Sequence, residues 1–234
     1  MSWWLSGLAA LALSGAVEGQ AATEIPMATT SACAPGAAPP GAICTVLGTA
    51  GLGETAGAPV SWALYDVTSG QGRHGLSVLL TPDPANPART KIAASLPTSA
   101  EALERWQANP YVVADIVKRG EAEYAVMSVR GDEGPSAFSV HRADPSGWTL
   151  VDSTGLWPAV AAKLASLTKA DCFVVAGDID WRSFGLRYDM MGDEGSCGTA
   201  FLDLGVENGA VKITNAMAVR PDLKPPRRSR GRRR

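Results

Sequence analysis

Short apolar segments separated by tight-turn signals limit what this chain can fold into more than any other feature. Residues 136–142 and 148–152, for example, flank the turn-like sequence of residues 144–147. Such segments, rich in β-branched and aromatic residues and bounded by Gly, Pro, Asn and Asp, are typical of β-strands. Neighbouring strands joined by turns, without an intervening helix, predict antiparallel pairing. The other predicted strands cover residues 60–67, 75–80, 91–96, 123–130, 171–176, 183–190, 199–206 and 210–218, the last two joined by a tight turn at residues 207–209.

Helices are predicted at three places. Residues 98–108 fit a helix that starts with a capping box, since Thr98 is followed three residues later by Glu101. Residues 109–119 fit a second helix with Pro110 in its first turn, and residues 157–168 fit a third. The pattern therefore predicts an α+β fold, a mostly antiparallel sheet with two or three helices packed on one face.

Composition divides the chain of 234 residues into four parts. Residues 1–21 form an apolar leader, and residues 22–57 are so rich in Ala, Gly, Pro and Thr that we expect a disordered arm. Residues 58–223 have the pattern of a single α+β domain, and residues 224–234 form a basic tail that we expect to be disordered.

The leader indicates export. Residues 1–17 are apolar and uncharged, and the small residues Gly19 and Ala21 predict a signal peptide cleaved after Ala21. One feature disagrees, because no Lys or Arg precedes the apolar run; the alternative is an N-terminal core helix of a cytoplasmic protein. Abundant Ala, Gly and Pro, and Arg in preference to Lys, are typical of a GC-rich bacterium. We expect a periplasmic or secreted bacterial protein.

The four cysteines favour disulfides, because an even number in an exported chain is typical of bonded pairs. Cys33 and Cys44 lie in one loop, and Cys172 and Cys197 flank neighbouring predicted strands, so local pairing is the simplest of the three possible arrangements. A zinc site is the alternative, but the chain has no C-x-x-C spacing and its two histidines are distant in sequence.

Two groups of residues are candidates for chemistry. Asp178 and Asp180 end a predicted strand and fall on one face, where paired carboxylates could bind Ca²⁺ or act as acid and base. Cys197 could be a nucleophile with His141 as its base, although a disulfide with Cys172 competes with that role. The plainer interpretation of the carboxylates is a polar strand end on an acidic body. No phosphate-binding loop is present, and neither a cofactor nor a metal is expected.

The basic tail differs in charge from the rest of the chain. Residues 22–223 contain 14 basic and 22 acidic side chains, whereas residues 224–234 contain seven basic and none acidic. Such a tail predicts binding to anionic lipid headgroups or polyanions, or a solvated end that contacts its own acidic body. An exported chain would not meet nucleic acid. The basic residues are Lys224, Arg227, Arg228, Arg230, Arg232, Arg233 and Arg234.

The sequence predicts the export of this protein more directly than it predicts its function. The sequence favours a non-catalytic binding or accessory domain of the envelope, with an unidentified protein partner and a tail for anionic surfaces. The alternative is a secreted hydrolase that uses Asp178 and Asp180. A cleft beside those carboxylates would favour the enzyme, whereas an exposed apolar patch without converging polar groups would favour the binding domain.

Overall fold

The computed structural model describes residues 29–31, 33–34, 36–111, 113–130, 135–180, 184–193 and 195–220. These residues form three antiparallel sheets and two short helices, arranged along the chain as three successive meanders. The predicted signal peptide and basic tail lie outside the described residues, so both stay predictions.

Sheet A has five strands, which lie in chain order. They are β1 (Thr29–Ser31), β2 (Ile43–Thr55), β3 (Ala58–Ser69), β4 (Gly72–Asp83) and β5 (Asn86–Thr98). Helix α1 (Ala100–Ala108) follows. The first predicted helix is therefore confirmed, but its cap is Ser99 and not Thr98: the Ser99 hydroxyl accepts a hydrogen bond of 3.1 Å from the Ala102 amide.

Sheets B and C have four strands each, also in chain order. Sheet B contains β6 (Ala114–Arg119), β7 (Ala122–Arg130), β8 (Pro135–Asp144) and β9 (Gly147–Val151). Helix α2 (Leu156–Leu167) follows and confirms the predicted helix at residues 157–168. Sheet C contains β10 (Cys172–Asp180), β11 (Gly185–Gly192), β12 (Gly195–Glu207) and β13 (Ala210–Val219).

Sheet B lies between the other two sheets and buries side chains on both of its faces. Successive residues of a strand point to opposite faces. Met127 accordingly packs with Trp62 of sheet A, in what we call the A/B core. Its neighbour Val126 packs with Leu186 of sheet C, in what we call the B/C core. The fold is therefore three stacked β layers.

The two helices close the edges of these cores. Leu103 and Trp106 of α1 are buried in the A/B core, and the Trp106 indole donates a 2.6 Å hydrogen bond to the Tyr111 carbonyl where the chain leaves the helix. Leu156 and Val160 of α2 are buried in the B/C core. Each helix thus joins one sheet to the next.

The α+β prediction is wrong, because the apolar sheet faces are covered by other sheets and not by helices. In the described part of the chain, two helices of 9 and 12 residues accompany 13 strands. The antiparallel pairing predicted from the turns is confirmed in all three sheets.

The predicted helix at residues 109–119 is also wrong: β6 occupies Ala114–Arg119 and pairs with β7. Val113 and Ala114 belong to the A/B core and Val117 to the B/C core. A strand buried on both faces loses the alternation of polar and apolar residues by which an exposed strand is identified. The run of apolar residues in and before β6 therefore matched the helical pattern as well as a strand pattern.

The disordered arm predicted over residues 22–57 is wrong where the structure describes it, since β2 fills Ile43–Thr55. Register shifts at Val46/Gly48 and Gly51/Gly53 interrupt its alternation, which hid the strand. Ahead of β2, Cys33, Ala34 and Ala38 pack on the outer face of sheet A. That face therefore has a cover of its own.

Candidate functional site

Both disulfides predicted from sequence proximity are present. Cys33 bonds Cys44 with Cα atoms 5.1 Å apart, and Cys172 bonds Cys197 with Cα atoms 6.3 Å apart. The second bond passes close to Gly192, where a Cβ would lie 3.0 Å from the Cys197 Sγ. All four cysteines are bonded, which indicates an oxidising compartment such as the periplasm or the exterior of the cell.

The structure does not bring His141 and Cys197 together as a catalytic pair. The Cys197 sulfur is bonded and cannot be a nucleophile. His141 is buried in sheet B; it pairs in register with Ala125, a residue of the A/B core, so it lies on the face turned away from sheet C. Its Nε2 lies 3.2 Å from the Ser139 hydroxyl, and burial lowers its pKa.

Asp178 and Asp180 lie on β10 at the edge of sheet C, two positions apart in an unbroken register with β11. Asp178 pairs with Arg187, and its carboxylate accepts a 2.8 Å hydrogen bond from the Ile179 amide. The side chain of Asp180 lies outside the described residues. Asp178 therefore lies opposite a cation on a sheet surface.

The outer face of sheet C, which we call the C face, is the surface turned away from the B/C core. One row across its strands runs Asp178, Arg187, Phe201 and Met217. The next row runs Ala176, Asp189, Thr199 and Val219. Within these two rows the acidic side chains lie on β10 and β11, and the large apolar side chains lie on β12 and β13.

The polar groups of the C face largely satisfy one another. Asp189 accepts hydrogen bonds of 3.1 Å from Arg187 and 3.0 Å from Thr199. The Asn215 amide donates a 3.0 Å hydrogen bond to Asp203. Carboxylates engaged by neighbours on a sheet surface form structural pairs, and they do not converge on a point where a substrate would react.

Large apolar side chains are exposed on the same face. Phe173 is 56% exposed, Met217 52% and Val219 54%, although each belongs to a regular strand. Met191, the register partner of Phe173, is 36% exposed. Scattered exposed apolar residues are ordinary on monomers, but a group of them on one sheet face is typical of an interaction surface.

The end of β13 is held close to β12 by a glycine. Gly198 has φ of +118°, and a Cβ there would lie 2.2 Å from the Val219 carbonyl oxygen. Only glycine therefore lets the last residue of β13 approach β12 so closely. This contact fixes the place from which the chain continues toward the basic tail.

The exposed residues of β13 were not identified from the sequence. An outer strand with one solvated face should alternate polar and apolar residues. Residues 216–219 read Ala, Met, Ala and Val, so alternation is lost at the end of β13. That loss was the signal that Met217 and Val219 lie on an exposed apolar surface.

No group of three or more His, Cys, Asp or Glu side chains suited to a metal ion occurs among the described residues. Within the same residues, neither helix is long and apolar enough to cross a membrane. Comparisons of the chain with protein-family models, curated proteins and solved structures find no match.

Proposed function

We propose that this chain is an exported, non-catalytic binding domain that attaches to an anionic envelope surface through the C face and the basic tail. The observation that carries the proposal is the position of β13. It presents Met217 and Val219 to solvent and ends five residues before Lys224, the first of the seven tail cations. The two disulfides support a place outside the cytoplasm.

Apolar side chains next to a cluster of cations match the chemistry of an anionic lipid surface. The apolar groups lose contact with water at the boundary between headgroups and acyl chains. Each Lys or Arg near the surface adds on the order of 1 kcal/mol, and salt weakens this contribution. Seven cations in residues 224–234 give useful affinity where one would not.

The acidic body opposes this attachment, so orientation matters. Residues 22–223 contain more acidic than basic side chains, and Asp178 and Asp189 lie on the C face itself. These carboxylates lie toward β10 and β11, at the far side of the face from β13. A tilt that brings the β13 edge nearest the surface therefore places the tail in contact and keeps Asp178 and Asp189 in water, while Asp203 of β12 stays hydrogen-bonded to Asn215.

The C face also favours binding over hydrolysis as the role of this region. A hydrolase based on Asp178 and Asp180 needs polar groups that converge on a cleft. Asp178 instead pairs with Arg187 of the neighbouring strand, on a face that also exposes Phe173 and Met217. An exposed apolar surface of this kind supports the binding proposal.

The first prediction concerns vesicles that contain an anionic phospholipid. The exported full chain should co-sediment with them at low salt and be released at high salt, because its attraction is largely electrostatic. A chain that ends at Leu223 should bind at least about tenfold more weakly, since it lacks all seven tail cations.

Two variants separate the apolar contribution from the charge. Met217→Ser combined with Val219→Ser should weaken binding several-fold without changing the salt dependence. Leu150→Ser is the matched control, since Leu150 is 64% exposed but lies on sheet B, and it should bind as the parent does. Equal binding by the full and shortened chains, or binding indifferent to salt, would contradict the proposal.

A further inference from the structure

A cleft opens at the mouth of the A/B core, on a different face of the molecule from the C face. Its volume is about 430 Å³, within the range of small-molecule sites. Three hairpin ends surround it, namely the β2–β3 and β4–β5 turns of sheet A and the β8–β9 turn of sheet B. Sheets A and B therefore form the cleft together.

The inner part of the cleft is apolar. Val60 is a buried member of the A/B core, and Ala93 packs against that core. Trp148 of β9 is half-buried and forms part of the wall. A ligand that enters this cleft would therefore place an apolar body against these side chains.

The polar side chains of the cleft include donors without a partner. The ammonium of Lys91 makes no ion pair or hydrogen bond with any described residue, and neither does the indole N–H of Trp148. Thr55 is only 6% exposed, and its hydroxyl is buried without a hydrogen-bond partner in the described part of the chain. An unsatisfied buried hydroxyl is unusual, because it loses its hydrogen bonds to water without replacement.

The carboxylate nearest the cleft is already engaged elsewhere. Asp144 and its neighbour Ala143 both line the cleft, and the Asp144 carboxylate accepts a 2.9 Å hydrogen bond from Arg142 Nε. Since successive residues of a strand alternate, the Asp144 carboxylate lies on the opposite face of β8 from Ala143. The cleft thus offers hydrogen-bond donors and one positive charge.

We propose that this cleft binds a small carboxylate with an apolar body, with the ammonium of Lys91 paired to the carboxylate. The apolar body lies against Trp148 and Val60. A free fatty acid and the C-terminus of an apolar peptide both present this chemistry. The site is independent of the C face, so it stands whether or not the chain binds vesicles.

The test uses titration calorimetry of the full exported chain with three probes. They are octanoate, neutral octanamide, and N-acetyl-Val-Leu with a free carboxylate. Octanoate or the peptide should bind saturably with one site per chain, and the tighter of the two identifies the source of the carboxylate. Octanamide should bind about tenfold more weakly than octanoate, because it lacks the charge that pairs with Lys91.

Three variants assign the site. Lys91→Gln should weaken octanoate binding about tenfold. Lys163→Gln is the matched control, because Lys163 is exposed on α2, and this variant should bind octanoate as the parent does. Thr55→Val should leave octanoate binding unchanged and the thermal midpoint equal or higher, since it removes an unsatisfied hydroxyl that is buried behind the cleft wall. Absence of saturable carboxylate binding, equal affinity for octanamide, or equal affinity in Lys91→Gln would overturn the proposal.

Discussion

Two pairs of polar side chains lie inside the A/B core. The Trp62 indole donates a 2.8 Å hydrogen bond to the Ser77 hydroxyl, and His141 Nε2 lies 3.2 Å from the Ser139 hydroxyl. Such pairing limits the cost of removing these groups from water. A histidine in a sequence suggests a base or a ligand by its type alone, whereas its burial in the fold indicates a structural role for His141.

Burial of His141 makes stability depend on pH. Burial lowers the pKa of this ring in the folded protein, while the unfolded chain titrates near the ordinary value of about 6.5. Below that pH the His141 ring binds a proton in the unfolded chain but stays neutral in the folded protein. The free energy of unfolding should therefore fall as pH drops from about 6.5 toward the folded pKa, and denaturant titrations at several pH values measure this.

His141→Gln is the comparison that isolates this effect, because glutamine is neutral and can still reach Ser139. The slope of stability against pH just below 6.5 should be smaller in this variant. Asp115 acts in the opposite sense, since burial raises its pKa and acidification removes a costly buried charge at lower pH. Parallel pH curves for the parent and His141→Gln would show that His141 is not responsible.

Among the elements, β12 was predictable from its regular alternation, whereas β6 and β2 lack that alternation and were missed. In β12 the buried and less buried positions alternate, and the strand was predicted within four residues of its bounds. β3 is buried on both faces and was predicted nonetheless, from its β-branched and aromatic residues. β6 is buried on both faces and β2 contains two register shifts, so neither shows a clear period of two. The sequence signal of a strand depends on its surroundings as well as on its own residues.

The Cys172–Cys197 disulfide should stabilise sheet C as a unit. It joins β10 to β12, which lie on either side of β11, and it closes a loop of 25 residues. Replacement of both cysteines by serine should lower the free energy of unfolding by about 3 kcal/mol, since the bond restricts the unfolded chain. Urea titration of the double variant measures the loss.

The shorter disulfide provides a matched comparison. Cys33 and Cys44 are 11 residues apart, so the corresponding serine variant should lose slightly less stability. The two variants should also differ in which strands lose protection from hydrogen exchange. Only loss of Cys172–Cys197 should increase hydrogen exchange in β10, and unchanged exchange there would contradict the assigned role.

In the molecule as a whole, the hairpins could be predicted from the turns between successive strands, but the stacking of the three sheets could not. A turn identifies two strands that pair, whereas the 3.8 Å contact between the Met127 sulfur of β7 and the Ser77 hydroxyl of β4 joins distant parts of the sequence. The same limit applies to the candidate site. Local pairing of cysteines was predictable, but exposure of Phe173 depends on which face of sheet C covers sheet B.

A shared middle layer predicts a single unfolding transition. Met127→Ala leaves a cavity in the A/B core, and Val126→Ala leaves one in the B/C core, although the two residues are neighbours in β7. The methionine variant should lose about 2–5 kcal/mol and the valine variant somewhat less, each shifting one transition seen alike by circular dichroism and tryptophan fluorescence. Separate transitions for the two probes would show that the layers unfold independently.

The position of sheet B also determines the order in which apolar surfaces are covered during synthesis. Sheet A is complete at Thr98, before any residue of sheet B has been made. The side of sheet A that bears Trp62, Leu64 and Leu79 has no partner until the second meander arrives. A chain that emerges amino terminus first therefore passes through a stage in which this apolar side of sheet A is exposed. Aggregation competes most strongly with folding at that stage.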